Sequence, residues 1–185
     1  MAEYYLISQL PSLDGLGENS PLPITEERFL ELCGPIVGEK LRSELDNLSL
    51  VPPRSQTDTS SSLIEAWNNG ERSLRLALAK VRAEKMKKPF DLGGASLPLP
   101  LVKVANTAAE MESPLEAEKF LNQHRLTLLE SLRPMDPFAQ DFVFYYWLKL
   151  KLLWRMKQFD QQSGETAYKN IDHSIINTDS LEVMQ

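Results

Sequence analysis

Residues 113–160 constrain the fold of this chain more than any other stretch. Ser113 reads as an N-cap, Pro114 takes the first helical position and Glu116 the third, which completes a capping box. Leu115, Phe120, Leu121, Leu128, Leu129 and Leu132 then follow at helical spacing until Arg133-Pro134 stops them. Asp136-Pro137 restarts a helix by the same cap-then-proline logic. Phe138, Phe142, Tyr145, Leu152, Met156 and Phe159 make one stripe of it, and Val143, Tyr146, Leu150 and Leu153 a second. An apolar surface that wide implies a helix covered on more than one side. At ~1.5 Å per residue it would run roughly 35 Å, enough to cross a small domain. The joining turn is short, so the expected arrangement is a central antiparallel pair over residues 114–132 and 137–160.

The remaining chain reads as shorter helices and loops. Tyr4-Tyr5-Leu6-Ile7 is too short for periodicity to choose between strand and helix. Thr25 caps a helix carrying Phe29, Leu30 and Leu32, and Gly34-Pro35 breaks it. Two short helices or one bent helix fit as far as Leu48. Residues 51–62, rich in Pro, Ser and Thr, read as a mobile loop or linker. Ser62-Leu63-Ile64-Glu65 has capping-box form, but Asn68-Asn69-Gly70 interrupts the pattern before it resumes at Leu74, Leu78 and Val81. A modest helix is expected over residues 101–111. The fold class is therefore all-α, an irregular bundle of about six helices. It spans one domain over residues 1–172, with 173–185 as a disordered tail.

Composition excludes several function classes. One cysteine, Cys33, allows no disulfide framework and no Cys-rich metal site. The two histidines, His124 and His173, are far apart and carry no metal-binding spacing. No Gly-x-Ser-x-Gly elbow is present, and Gly93-Gly94-Ala95-Ser96 lacks the Lys of a phosphate loop. Glu26/Glu27 and Glu116/Glu118 sit in first helical turns, where the helix dipole explains them. The expectation is no catalytic residue, no metal and no cofactor. A net charge of −6, with no aromatics among the cations, argues against nucleic acid. Phe142 to Met156 is the longest apolar stretch, but it is short and carries Lys149, Lys151 and Arg155, so no membrane span is expected.

Two surfaces stand out as candidates for contact. One is the basic run over residues 72–88, with Arg72, Arg75, Arg82 and Lys85 on the helix. The other is Trp147 and Trp154, two turns apart with Lys151 between, a docking strip if the domain leaves that face open.

Several blocks of sequence resemble one family. They are Pro114-Leu115-Glu116-Ala117-Glu118-Lys119-Phe120-Leu121, then Pro137-Phe138, then Tyr146-x-Leu148-Lys149-Leu150-x-Leu152-Leu153-x-Arg155, and Phe159-Asp160 with Gly164 following. Tyr4-Tyr5-Leu6-Ile7-x-x-Leu10-Pro11 and Leu74-x-x-Ala77-Leu78-x-x-x-Arg82-Ala83 join them. The pattern resembles an uncharacterised bacterial family of helical proteins encoded beside V-type ATPase genes, itself similar to the V/A-type ATPase C (d) subunit. The resemblance implies a non-catalytic structural or coupling component of a rotary ATPase. It would be cytoplasmic, peripheral to the membrane through the complex, with stalk or rotor subunits as partners. The chain is much shorter than that three-bundle subunit and could supply only part of its funnel. The alternative is a free-standing helical adaptor or regulatory protein.

Overall fold

The computed structural model describes residues 2–17, 20–54, 59–94, 96–158 and Gly164. Phe159, Asp160, Tyr168, Ile171, His173 and the expected tail lie outside the described residues. The fold is all-α, with no strand among the described residues. Seven helices follow in order: α1 (Ala2–Gln9), α2 (Glu26–Cys33), α3 (Glu39–Asn47), α4 (Ser62–Lys85), α5 (Leu99–Glu110), α6 (Pro114–Ser131) and α7 (Gln140–Gln158).

The helix ends follow from local chemistry. Thr25 and Ser113 accept from the N–H groups of Arg28 and Glu116, the expected N-caps. Three expectations need correction. The cap of α4 is Ser61, not Ser62; its Oγ accepts from the Ile64 N–H and donates to Asp141 on α7. Asn68-Asn69-Gly70 does not interrupt α4, which runs unbroken for 24 residues. A Cβ at Gly70 would lie 2.6 Å from a Leu128 methyl, so the glycine marks close approach to α6. The last helix begins at Gln140 and not at Pro137, because Asp136 uses its carboxylate and carbonyl on the Phe138 and Ala139 N–H groups in a turn.

The other end of α4 closes with a Schellman motif. The Lys88 N–H donates to Ala83 O and the Lys87 N–H to Glu84 O, with Lys87 at φ 52 where glycine is favoured.

The core is organised on α7. Every residue of 143–150 is buried, followed by Leu152, Leu153 and Met156. Phe29 of α2 stacks on Trp147 at 4.8 Å between ring centroids. The Tyr146 hydroxyl donates to Pro11 O, fixing the segment after α1, and Leu6 of α1 is fully buried. On the other side lie α4 and α6. Glu130 of α6 meets Lys149, and Glu118 near the start of α6 meets Arg155, so α6 and α7 run antiparallel. Burial on α6 is confined to Leu121, Asn122, Arg125, Leu126 and Leu129, whereas α7 is covered nearly all round. Each fully buried Leu or Phe in this cluster contributes roughly 1.5–3 kcal/mol.

A second cluster joins Leu74, Ala77, Leu78 and Val81 of α4 to Ala105 and Ala108 of α5 and Leu121 of α6. Alanine on both α4 and α5 lets their backbones approach closely. The Lys85 ammonium donates to Ala109 O, so the C-terminal ends of α4 and α5 lie together.

Candidate functional site

The basic face of α4 divides into groups that serve the fold and groups that face outward. The Arg72 guanidinium donates to Pro53 O at 3.0 Å and to Asn69 Oδ1, pinning residues 51–54 against the helix. Arg75 is exposed, with its Nε 2.8 Å from Glu71 Oε1. Lys85 reaches α5, as described. Arg82 is exposed and, like Lys87 and Lys88, has no ion pair among the described residues. Lys80 lies 3.8 Å from Glu84, so four of the five cations of α4 have a protein partner, and Arg82 has none among the described residues.

The Trp147/Trp154 strip is not an open face. Trp147 is 2% exposed. Its indole N–H donates to Leu45 O at 3.0 Å, the carbonyl at the end of α3, and its ring lies against Phe29. The short helices α2 and α3 cover it, so the open face that a docking strip requires is not present at Trp147. Lys151 is half-buried. Its ammonium donates to Leu48 O at 2.8 Å and sits 4.5 Å from the Trp147 ring centroid. Burial pushes the Lys151 pKa below the ordinary lysine range, opposed by Glu26 and Asp46. Trp154 is also half-buried, with the Lys157 ammonium 5.9 Å from its ring.

Two charged clusters join the helices, the first buried and the second reaching the surface. In the first, Arg125 of α6 forks onto Glu71 of α4, with Nε 3.0 Å from Oε2 and Nη2 3.2 Å from Oε1. Its Nη1 bonds Asn122 at 2.9 Å and Glu118 at 3.2 Å, and Glu118 in turn meets Arg155 of α7. Glu71 is 1% exposed. In the second, the Lys149 ammonium lies 2.6 Å from Glu130, 3.4 Å from Asp14 and 3.2 Å from the Tyr145 hydroxyl. That hydroxyl donates to Glu130 at 2.8 Å. Arg133 closes the cluster on Asp14 at 3.0 Å. A cavity of 170 Å³ adjoins it beneath Ile7 and Leu10.

The sequence held a signal for the first cluster. Arg125 falls midway between Leu121 and Leu129, and Glu71 between Trp67 and Leu74, so both charges interrupt apolar stripes. A charge on a buried stripe demands a partner on the facing helix. Glu118 has a structural role beyond its first-turn position.

The electrostatics of these groups are those of a fold. Burial, reinforced by Glu130, holds the Tyr145 hydroxyl protonated well above its ordinary range. Burial works against ionisation of Asp14, but Arg133 and Lys149 outweigh it and hold the carboxyl below its ordinary value. In the Lys149 cluster two cations face two carboxylates, a balanced pairing with no surplus charge to present to a ligand. Cys33 is buried, and desolvation pushes its thiol up to about 12, far from a nucleophilic thiolate. His124 is half-buried; burial first, then Arg125, lowers its pKa. No group of acidic, His or Cys side chains among the described residues could hold a metal ion.

The surface shows one feature the sequence reading missed. Tyr4 of α1 stacks on Phe138 of the α6–α7 turn, ring centroids 4.5 Å apart, with Tyr4 60% and Phe138 44% exposed. Tyr5 and Met135, in the same two segments, are also exposed. No described helix is long and apolar enough to cross a membrane. No family model, curated protein or solved structure matches the chain.

Proposed function

We propose that this chain is a non-catalytic helical component that works with a V-type ATPase through protein–protein contacts. The contact reading is carried by the exposed Tyr4–Phe138 stack with Tyr5 and Met135 beside it. Aromatic surface left in water next to polar groups is the pattern of an interface awaiting its partner. Arg82 and the exposed side of Arg75 supply a second, electrostatic edge. The ATPase as the partner rests on the sequence blocks that resemble the family encoded beside its genes, most of which are packing and capping residues of α4, α6 and α7.

The test is affinity purification from the native host followed by mass spectrometry. Stalk or rotor subunits are the expected co-purifying proteins. A Tyr4→Ser/Phe138→Ser variant should lose them, and Arg75→Glu/Arg82→Glu should weaken their recovery. Reproducible capture of other proteins, with no ATPase subunit among them, would assign the chain instead to a free-standing adaptor.

A further inference from the structure

The turn that ends α4 concentrates positive charge. Residues 80–90 hold five of the chain's 20 cations, Lys80, Arg82, Lys85, Lys87 and Lys88, and one of its 26 carboxylates, Glu84. Lys80 is paired with Glu84, and Lys85 donates to Ala109 O. Arg82, Lys87 and Lys88 are exposed, with no ion pair among the described residues. Asp91, next along the chain, accepts from the Gly93 N–H at 2.9 Å and serves its own loop. Met86 and Phe90 bracket the two lysines and stand 59% and 37% exposed. Arg82 and Lys85 have a local reason, since cations in a last turn suit the helix dipole. Lys87 lacks that reason. Its φ of 52 is the left-handed conformation that glycine would adopt without strain in this Schellman motif. The charge at residue 87 is thus held against the backbone preference, the kind of local strain that gathers at working sites.

We propose that this turn docks the protein on an anionic lipid surface, with Arg82, Lys87 and Lys88 against the headgroups and Met86 and Phe90 at the acyl boundary. Cations beside exposed apolar side chains match the two layers of such a surface, negative headgroups over hydrocarbon. A fluid interface moulds around single projecting side chains, whereas a docked peptide needs a groove or a sheet edge. No residue of this turn lines the 170 Å³ cavity or the 430 Å³ groove beside α3. The whole chain, at −6, is repelled by negative charge, so this end would lead the approach. The contact is peripheral, since no described helix is long and apolar enough to cross the bilayer. It does not rest on the ATPase reading. Its test contains no other protein and leaves Tyr4, Phe138, Arg75 and Arg82 unchanged.

The experiment is co-sedimentation of the full chain with phosphatidylcholine vesicles carrying roughly one-third phosphatidylserine, against vesicles of phosphatidylcholine alone. Binding is expected to the first and should be at least about tenfold weaker to the second. Added NaCl should weaken it by screening the headgroups. Lys87→Gly/Lys88→Gln should reduce affinity about fivefold for each lysine removed. Glycine relieves the left-handed backbone at residue 87, so a loss of binding there is not a loss of fold. Met86→Ser/Phe90→Ser, at exposed positions, should weaken binding about fivefold as well. No binding to either vesicle, equal binding to both, or indifference to either double variant would overturn the proposal. So would tighter binding to poly-glutamate than to the anionic vesicles, which would assign the turn to an acidic protein. Displacement by inorganic phosphate beyond that by chloride at equal ionic strength would also overturn it, in favour of a free anion.

Discussion

Arg125→Met tests whether the buried charge network holds α4, α6 and α7 together. The substitution keeps the aliphatic stem but removes the fork on Glu71 and the bonds to Asn122 and Glu118. Glu71, 1% exposed, is then left with Arg75, whose side chain is 43% exposed. Breaking a buried pair from one side costs about 3–5 kcal/mol, because the surviving charge cannot regain its hydration. Replacing both partners removes that charge penalty, so Glu71→Leu/Arg125→Met should recover most of the loss, short of about 1–3 kcal/mol for the buried Asn122 Oδ1 that loses its donor. Arg75 can turn to solvent in the double variant, and Glu118 retains Arg155. Urea unfolding followed by the fluorescence of Trp67, Trp147 and Trp154 reads the difference, with far-UV circular dichroism checking that the transitions coincide. At a slope of about 2 kcal/mol/M, the single variant's midpoint should fall by roughly 2 M. A loss of less than ~1 kcal/mol in the single variant, or a double variant as unstable as the single, would refute the reasoning.

Four further outcomes follow from the structure. Trp147→Phe should cost about 0.5–1.5 kcal/mol by removing the indole bond to Leu45 O, a carbonyl that keeps the Leu48 N–H as donor, measured by the same urea titration. Lys87→Gly should raise stability by about 1 kcal/mol, because residue 87 holds a left-handed conformation that glycine adopts without strain; an unchanged midpoint would count against this. Cys33 should resist iodoacetamide at pH 8 in the folded chain and react in urea, since its pKa near 12 leaves almost no thiolate; labelling at equal rates would contradict its burial. Asp14 has a folded pKa below the ordinary 3.8, so its contribution to stability is present above that value and is lost as pH falls through the folded pKa. The pair with Arg133 is largely exposed, so Asp14→Asn should cost under ~1 kcal/mol at pH 7, less in high salt, and progressively less as pH falls through the folded pKa.

Much of the helical architecture was legible locally. Caps such as Thr25 and Ser113, with Pro114 behind the second, act within one turn, so their residue types suffice to place α2 and α6. The two apolar stripes of α7 announced a helix covered on several sides, since no amphipathic surface helix is apolar that far round. Arg82 was recognisable as part of a solvated basic face. What covers each apolar or charged surface was not legible, because covering is a relation between segments far apart in sequence. Asn68-Asn69-Gly70 reads as a break, yet α4 continues through it because packing outweighs the local cost: Gly70 admits Leu128 from α6. Glu71 and Arg125 become intelligible as a pair once α4 and α6 are side by side. Trp147 and Trp154 share a helix with identical local signals, but α2 and α3 enclose the first and leave the second half-open. Local sequence thus set where helices start and stop, through forces that act over one turn. The packing of distant helices set which faces meet water and which charges meet each other, through burial and pairing that no single segment encodes.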